Sequence, residues 1–126
     1  MDWKLELVNI PVSDVDRAKA FYADKAGFNL DHDHTVNEQI RFVQLTPPGS
    51  ACSISIGTGL GPDSPAPGSV RGMQMVVADI EAARAELVGR GAEVSEIQDL
   101  PWGSFVFFSD PDGNGWAVQQ SPPRGA

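Results

Sequence analysis

The sequence predicts an α+β fold made of two tandem β-α-β-β-β modules, forming a curved mixed sheet or half-barrel around a cavity with the helices outside. Three observations predict it. The segment "VSDVDRAKA" from Val12 to Ala20 returns 65 residues later as "VADIEAARA" from Val77 to Ala85. Each copy follows an apolar run with strand alternation, "LELVNIPV" and "GMQMVV". Each is followed by a strand, Pro/Gly turn and strand, "RFVQLTPPGSACSIS" and "SFVFFSDPDGNGWAVQ", a pattern of hairpins. A chain of 126 residues suits one domain that buries about two thirds of its unfolded surface.

Taken in order, the first strand alternates Val8, Ile10 and Val12 with Leu7, Asn9 and Pro11, and the first set is expected to meet the helix. The helix opens at Ser13 or Asp14, whose oxygens suit capping, with Asp16 at the positive end of the dipole. Val15, Ala18 and Tyr22 give it an apolar stripe, and Gly27 ends it. A weaker strand fits Phe28 to Asp33, the segment "TVNEQ" reads as a hairpin loop, and the hairpin from Arg41 to Ser55 completes module one, about residues 4–57. Residues 58–71 are rich in Gly, Pro and Ser and read as a connector. Module two, about residues 72–120, repeats the scheme. Its first strand alternates Met73, Met75 and Val77 with Gly72, Gln74 and Val76. Its helix is capped by Asp79, striped by Ile80, Ala83 and Leu87, and ended by Gly91, and a weak strand is expected over Ala92 to Ile97. Neither half alone can bury both faces of its sheet, so the two share an interior.

The faces turned away from the helices are then Asn9, Ser53 and Ser55 in one module and Gln74 and Gln119 in the other, with Trp102, Phe105 and Phe107 as aromatic walls. Asn9 and Gln74 are equivalent under the repeat. A few amides and hydroxyls within apolar strands suit a small-molecule pocket, although buried polar groups need partners whether or not a ligand is present.

Charge and composition exclude other classes. A net charge of −8 argues against nucleic acid as partner, and if charge selects a ligand it selects a cation. No apolar run approaches the roughly 20 residues that span a bilayer, and the N-terminus lacks the layout of a signal peptide. The single cysteine, Cys52, forms no internal disulfide and fits a reducing cytosol, so the chain is expected to be soluble and cytoplasmic. Cys52 falls on the helix side as a small hydrophobe. No serine-nucleophile, phosphate-loop or dinucleotide motif is present, "DPDG" reads as a turn, and no residue is assigned a catalytic role. His32 and His34 in "DHDH" point the same way if extended and, with Glu38 near, are metal candidates, but a solvated strand end is the favoured reading.

The paired modules, the strand-to-helix signal "PVSDVDRAKAFYADKAGF" and the turn "FFSDPDGNGWAV" resemble the vicinal oxygen chelate superfamily of glyoxalase I, bleomycin resistance proteins and extradiol dioxygenases. The resemblance spans Leu5 to Gln120. It implies that metal-dependent members hold a divalent ion at four positions, which fall here on Leu7, Ser53, Gly72 and Ala117. None is a good ligand, so the expectation is no metal and no other cofactor. The chain is then expected to be a metal-independent protein that binds a cationic or aromatic small molecule by sequestration, resembling the bleomycin resistance branch in its acidity and its lack of metal ligands. The alternatives are a glyoxalase, isomerase or dioxygenase type of enzyme with unorthodox ligands such as His32 and His34, or working without metal, and a regulatory interaction module. Relatives are commonly dimers with a groove shared between chains, so the resemblance also implies a homodimer.

Overall fold

The computed structural model describes residues 1–60 and 65–122. Module one runs β1 (Leu7–Asn9), α1 (Val15–Ala20), β2 (Asn29–Thr35), β3 (Arg41–Thr46) and β4 (Ser53–Thr58). Module two runs β5 (Arg71–Val76), α2 (Ile80–Gly89), β6 (Gln98–Leu100), β7 (Gly103–Ser109) and β8 (Gly115–Gln120). The strands form two separate four-stranded sheets of matching order, β1-β4-β3-β2 and β5-β8-β7-β6. In each, the first and last strands of the module pair in parallel and the others antiparallel. The connector expected over residues 58–71 is described outside 61–64, which lie beyond the described residues.

The helices form where the repeat places them. Asp14 accepts a hydrogen bond from the Arg17 amide at 3.0 Å and Asp79 one from the Ala82 amide at 3.1 Å, so both expected caps are carboxylates in the same place. Helix α1 widens into a π-helical turn over Phe21–Lys25, with the Ala26 amide bonding the Phe21 carbonyl. Gly27 and Gly91 follow the helices at φ of 76° and 92°, the left-handed region that glycine enters without a side-chain clash.

The two modules share one apolar core. Ile10, Val12, Val15, Ala18 and Tyr22 from the first half are buried in the same cluster as Ile80, Leu87, Val106, Trp116 and Val118 from the second. The outer sides of both helices, including Asp16, Arg17, Glu81 and Ala82, stay in solvent. An aromatic group seals the joint between modules. Tyr22 and Phe28 of module one meet Trp116 of β8 edge to face at 5.8 and 5.5 Å, and Phe21 lies 6.2 Å from Phe108 of β7. Burying such rings contributes about 2 to 3 kcal/mol each. In the repeat, Trp116, paired with Met73 and Phe108, stands where module one has Ile54, paired with Val8 and Leu45.

One element departs from expectation. Ala92 to Ile97 form no strand, and β6 is the shorter Gln98–Leu100. The reason is Ser95. Its amide donates to the Phe107 carbonyl, but its own hydroxyl oxygen accepts from the Phe107 amide, both at 2.9 Å. A side chain thus takes the place of the backbone carbonyl and the ladder is not continued there.

The turn in module two has a structural role that the equivalent "TPPGS" turn does not share. Asp110 is buried and accepts from the Tyr22 hydroxyl, the Asn114 side-chain amide, and the backbone amides of Asp112 and Asn114. Asn114, fully buried, also donates to the Pro11 carbonyl at 2.8 Å and accepts from the Val70 amide at 3.1 Å. It therefore fastens the exit of β1 and the entry to β5 to one point.

Candidate functional site: the two helix-free faces

Because residues opposite each other in a ladder share a face, register decides what the helix-free surfaces carry. On sheet one, Leu7 lies opposite Ser53 and Asn9 opposite Ser55, while Gln44 lies opposite Ser55 from the other side. The Ser55 hydroxyl donates to Asn9 Oδ1 at 3.2 Å. Ser53 Oγ is 2.6 Å from Thr46 Oγ1 and 3.5 Å from Gln44 Nε2. Thr46 in turn donates to Asp31. Every member of this network has a partner within the face, yet Asn9 and Asp31 remain open to solvent.

Sheet two carries a different surface. Gln74 Nε2 donates to Gln119 Oε1 at 2.6 Å, and Gln119 Nε2 donates to the Trp102 carbonyl at 2.8 Å. Asn9 and Gln74 are equivalent, but their partners are not: Asn9 bonds Ser55 directly opposite it, whereas Ala117 stands opposite Gln74 and the bond runs diagonally to Gln119, the partner of Val76. Phe105 and Phe107 stack with their planes 4° apart and centroids 6.0 Å apart. Phe105 is 5 % exposed, although it stands outside the main core, whereas Phe107 is 39 % and Trp102 61 % exposed. Beside them lies an open cleft of about 560 Å³ whose lining includes Gly72, Phe107, Asp110, Trp116 and Ala117.

The eight residues expected to line a pocket thus fall into two groups. Asn9, Ser53 and Ser55 lie on sheet one, and Gln74, Gln119, Trp102, Phe105 and Phe107 on sheet two. No hydrogen bond joins the groups among the described residues. The interior the modules share is the apolar core on the helix side; the helix-free faces belong to two open sheets and do not close over a common hollow within one chain.

Residues beyond the expected set also belong to these faces. Gln44 and Thr46 on β3 alternate with buried Val43 and Leu45, and that alternation in "RFVQLT" is a sequence signal for them. Asp31 has no such signal. It is the extra residue of a bulge between Leu30 and His32, and the bulge puts both Asp31 and His32 on the helix-free side. His32 then lies opposite Gln44 and His34 opposite Phe42. The "DHDH" segment is therefore the middle of a strand whose two imidazoles share the face of Asn9 and Ser55.

The four positions that resemblance assigns to a divalent ion are split in the same way. Leu7 and Ser53 are direct neighbours across β1 and β4, and Gly72 and Ala117 line one cleft on sheet two. Their chemistry does not fit an ion: three have no donor atom in the side chain, and the Ser53 hydroxyl is engaged by Thr46. Among the described residues, no three His, Cys, Asp or Glu side chains come together as an ion-holding cluster, and no helix is long and apolar enough to cross a membrane.

Comparison with known proteins agrees with this architecture. The family model described as the Glyoxalase/Bleomycin resistance protein/Dioxygenase superfamily matches residues 4–118. The chain belongs to that superfamily. Within it, the chain is similar to the structure of TnmS3, an antibiotic binding protein from Streptomyces sp. CB03234, at 36% identity and a TM-score of 0.83 over 96% of this chain and 98% of that one. It is similar to a glyoxalase/bleomycin resistance protein from the same organism at 37% identity and a TM-score of 0.77, over 93% of this chain and 100% of that one. A relative, YetH of Bacillus subtilis (strain 168), is 27% identical over 90% of this chain and 94% of its own length.

Proposed function

We propose that the protein binds a small organic molecule with an aromatic portion on its helix-free faces and acts by sequestering it, without a resident metal at Leu7, Ser53, Gly72 and Ala117. The observation that carries this reading is the surface of sheet two: the parallel Phe105–Phe107 pair beside the Gln74–Gln119 amides. Phe107, fixed by its stacking on the buried Phe105, and Trp102 offer exposed apolar ring surface, and adjacent amides orient a ligand by hydrogen bonds, a combination suited to binding a planar compound. The similarity to TnmS3, an antibiotic binding protein, supports an antibiotic-like ligand class.

A pocket with two walls requires a second sheet opposite the first. Since one chain keeps its faces apart, the reading includes a homodimer in which sheet one of one copy covers sheet two of the other. The net charge of −8 favours cationic over anionic ligands in that groove.

The test is titration of the untagged protein with a panel of planar aromatic antibiotics, cationic and neutral, followed by tryptophan fluorescence and native mass spectrometry. Binding of one molecule per groove to a dimer, with the compound released unchanged, is the expected result. Turnover of a bound compound, or no binding across the panel by a monomer, overturns the proposal.

A further inference from the structure

We propose that His32 and His34 form a two-imidazole site for an exchangeable divalent transition metal on the helix-free face of sheet one, distinct from the positions of Leu7, Ser53, Gly72 and Ala117. The two residues alternate on β2, so their side chains leave the strand on the same side. Their rings lie side by side, 5.7 Å between centroids and 21° between planes. Both are exposed at the edge strand of the sheet, where an ion enters without opening the fold.

The spacing suits one shared ion. With metal–nitrogen bonds of about 2.1 Å and a ring centre about 1 Å beyond the nitrogen, two imidazoles on one ion have centroids about 4.5 Å apart at a right angle and about 6.4 Å apart when opposite. The observed 5.7 Å lies inside that range, so the rings need only pivot to direct nitrogens at a common point while the backbone stays in place. Imidazole ligands select Zn²⁺, Ni²⁺ and Cu²⁺ over Mg²⁺ and Ca²⁺. Two protein ligands leave the remaining positions to water, which makes the site exchangeable and agrees with the absence of any three-ligand cluster among the described residues. Asp31, next in sequence, is held by Thr46 and Gln44 and is not needed as a ligand.

The test uses Ni²⁺ alone, in isothermal titration and in retention of the untagged protein on a nickel column, with Zn²⁺ and Mg²⁺ as comparisons. One Ni²⁺ per chain is expected, with Mg²⁺ giving no heat. His32→Gln and His34→Gln should each weaken Ni²⁺ binding at least about tenfold, and the double variant should abolish it while circular dichroism stays unchanged. Asp31→Asn should bind as the wild type does. No Ni²⁺ binding by the wild type, a single His variant that binds undiminished, or binding that survives in the double variant overturns the proposal. Because the probe is the metal and no organic ligand is added, the result is independent of the sequestration reading.

Discussion

Tyr22 and Asp110, 88 residues apart in the chain, are joined by a 2.8 Å hydrogen bond from a buried phenol to a buried carboxylate. The phenol oxygen also accepts from the Trp116 indole N–H at 3.0 Å. One side chain of module one thus holds two of module two, inside the aromatic joint that unites the sheets.

Tyr22→Phe keeps the ring and removes this link. The Asp110 carboxylate and the Trp116 N–H each lose a partner, and leaving buried polar groups unpaired costs about 1 to 3 kcal/mol. Urea denaturation should show a lower midpoint with an unchanged slope. An unchanged midpoint would show that the bond contributes nothing.

The same pair predicts the response to alkali. Burial, then the Asp110 charge, raises the Tyr22 phenol far above its ordinary range near 10. The folded chain therefore keeps a proton that the unfolded chain releases. Stability from this group is complete below about pH 10 and falls above it, by at most about 1.4 kcal/mol per pH unit. Wild-type stability should fall more steeply above pH 10 than that of Tyr22→Phe, which has no such proton to lose.

Acid should act through Asp33. Hydrogen bonds from Arg41, and then from Lys19, hold its carboxyl well below the usual carboxylate range. A depressed value in the folded state means that the stabilisation is present above the unfolded value of about 3.9 and disappears as pH falls below it. The group is partly solvated, so Asp33→Asn should cost about 1 kcal/mol at pH 7. The difference from wild type should shrink as denaturation is repeated below pH 4. A difference that is constant across that range would exclude the ion pairs as its cause.

Two glycines with similar backbone angles should respond differently to alanine. Gly91 has φ 92° and open space where a Cβ would stand, whereas Gly68 has φ 80° and a Cβ there would lie 2.1 Å from the Asp112 carbonyl oxygen. Gly91→Ala should cost about 1 to 2 kcal/mol of left-handed strain. Gly68→Ala adds displacement of the Asp110–Asn114 turn and should cost at least about 3 kcal/mol. Equal thermal shifts for the two variants would count against a fixed contact between connector and turn.

Phe107→Ala should separate binding from folding. The ring is partly exposed and outside the core cluster, so the melting temperature should change little. Loss of one stacking partner should weaken an aromatic ligand about tenfold. Unaltered affinity for every ligand in the panel would remove sheet two from the binding surface.

Much of this architecture is legible in the residues because it is local or repeated. Asp14 and Asp79 announce helix starts by chemistry that acts within one turn, and the stripe Val15, Ala18, Tyr22 follows from helical period. Two copies of one pattern also place Asn9 and Gln74 in equivalent positions. What is not legible depends on tertiary context. A bulge at Asp31 alters which side chains share a face, and a Ser95 hydroxyl can stop a ladder that the apolar pattern would continue. The joining of Tyr22 to Asp110 needs the relative placement of two modules, which no spacing within either one encodes. For the same reason, alternation identifies helix-free residues without revealing that they divide between two sheets.

The clamp at Asn114 also limits how this chain can be recombined. A hybrid built from two first halves would lack the carboxamide that fastens both crossover strands, and with it the tryptophan that fills the joint. One built from two second halves would have no phenol to satisfy its carboxylates. The two halves are thus complementary parts, and neither can take the place of the other.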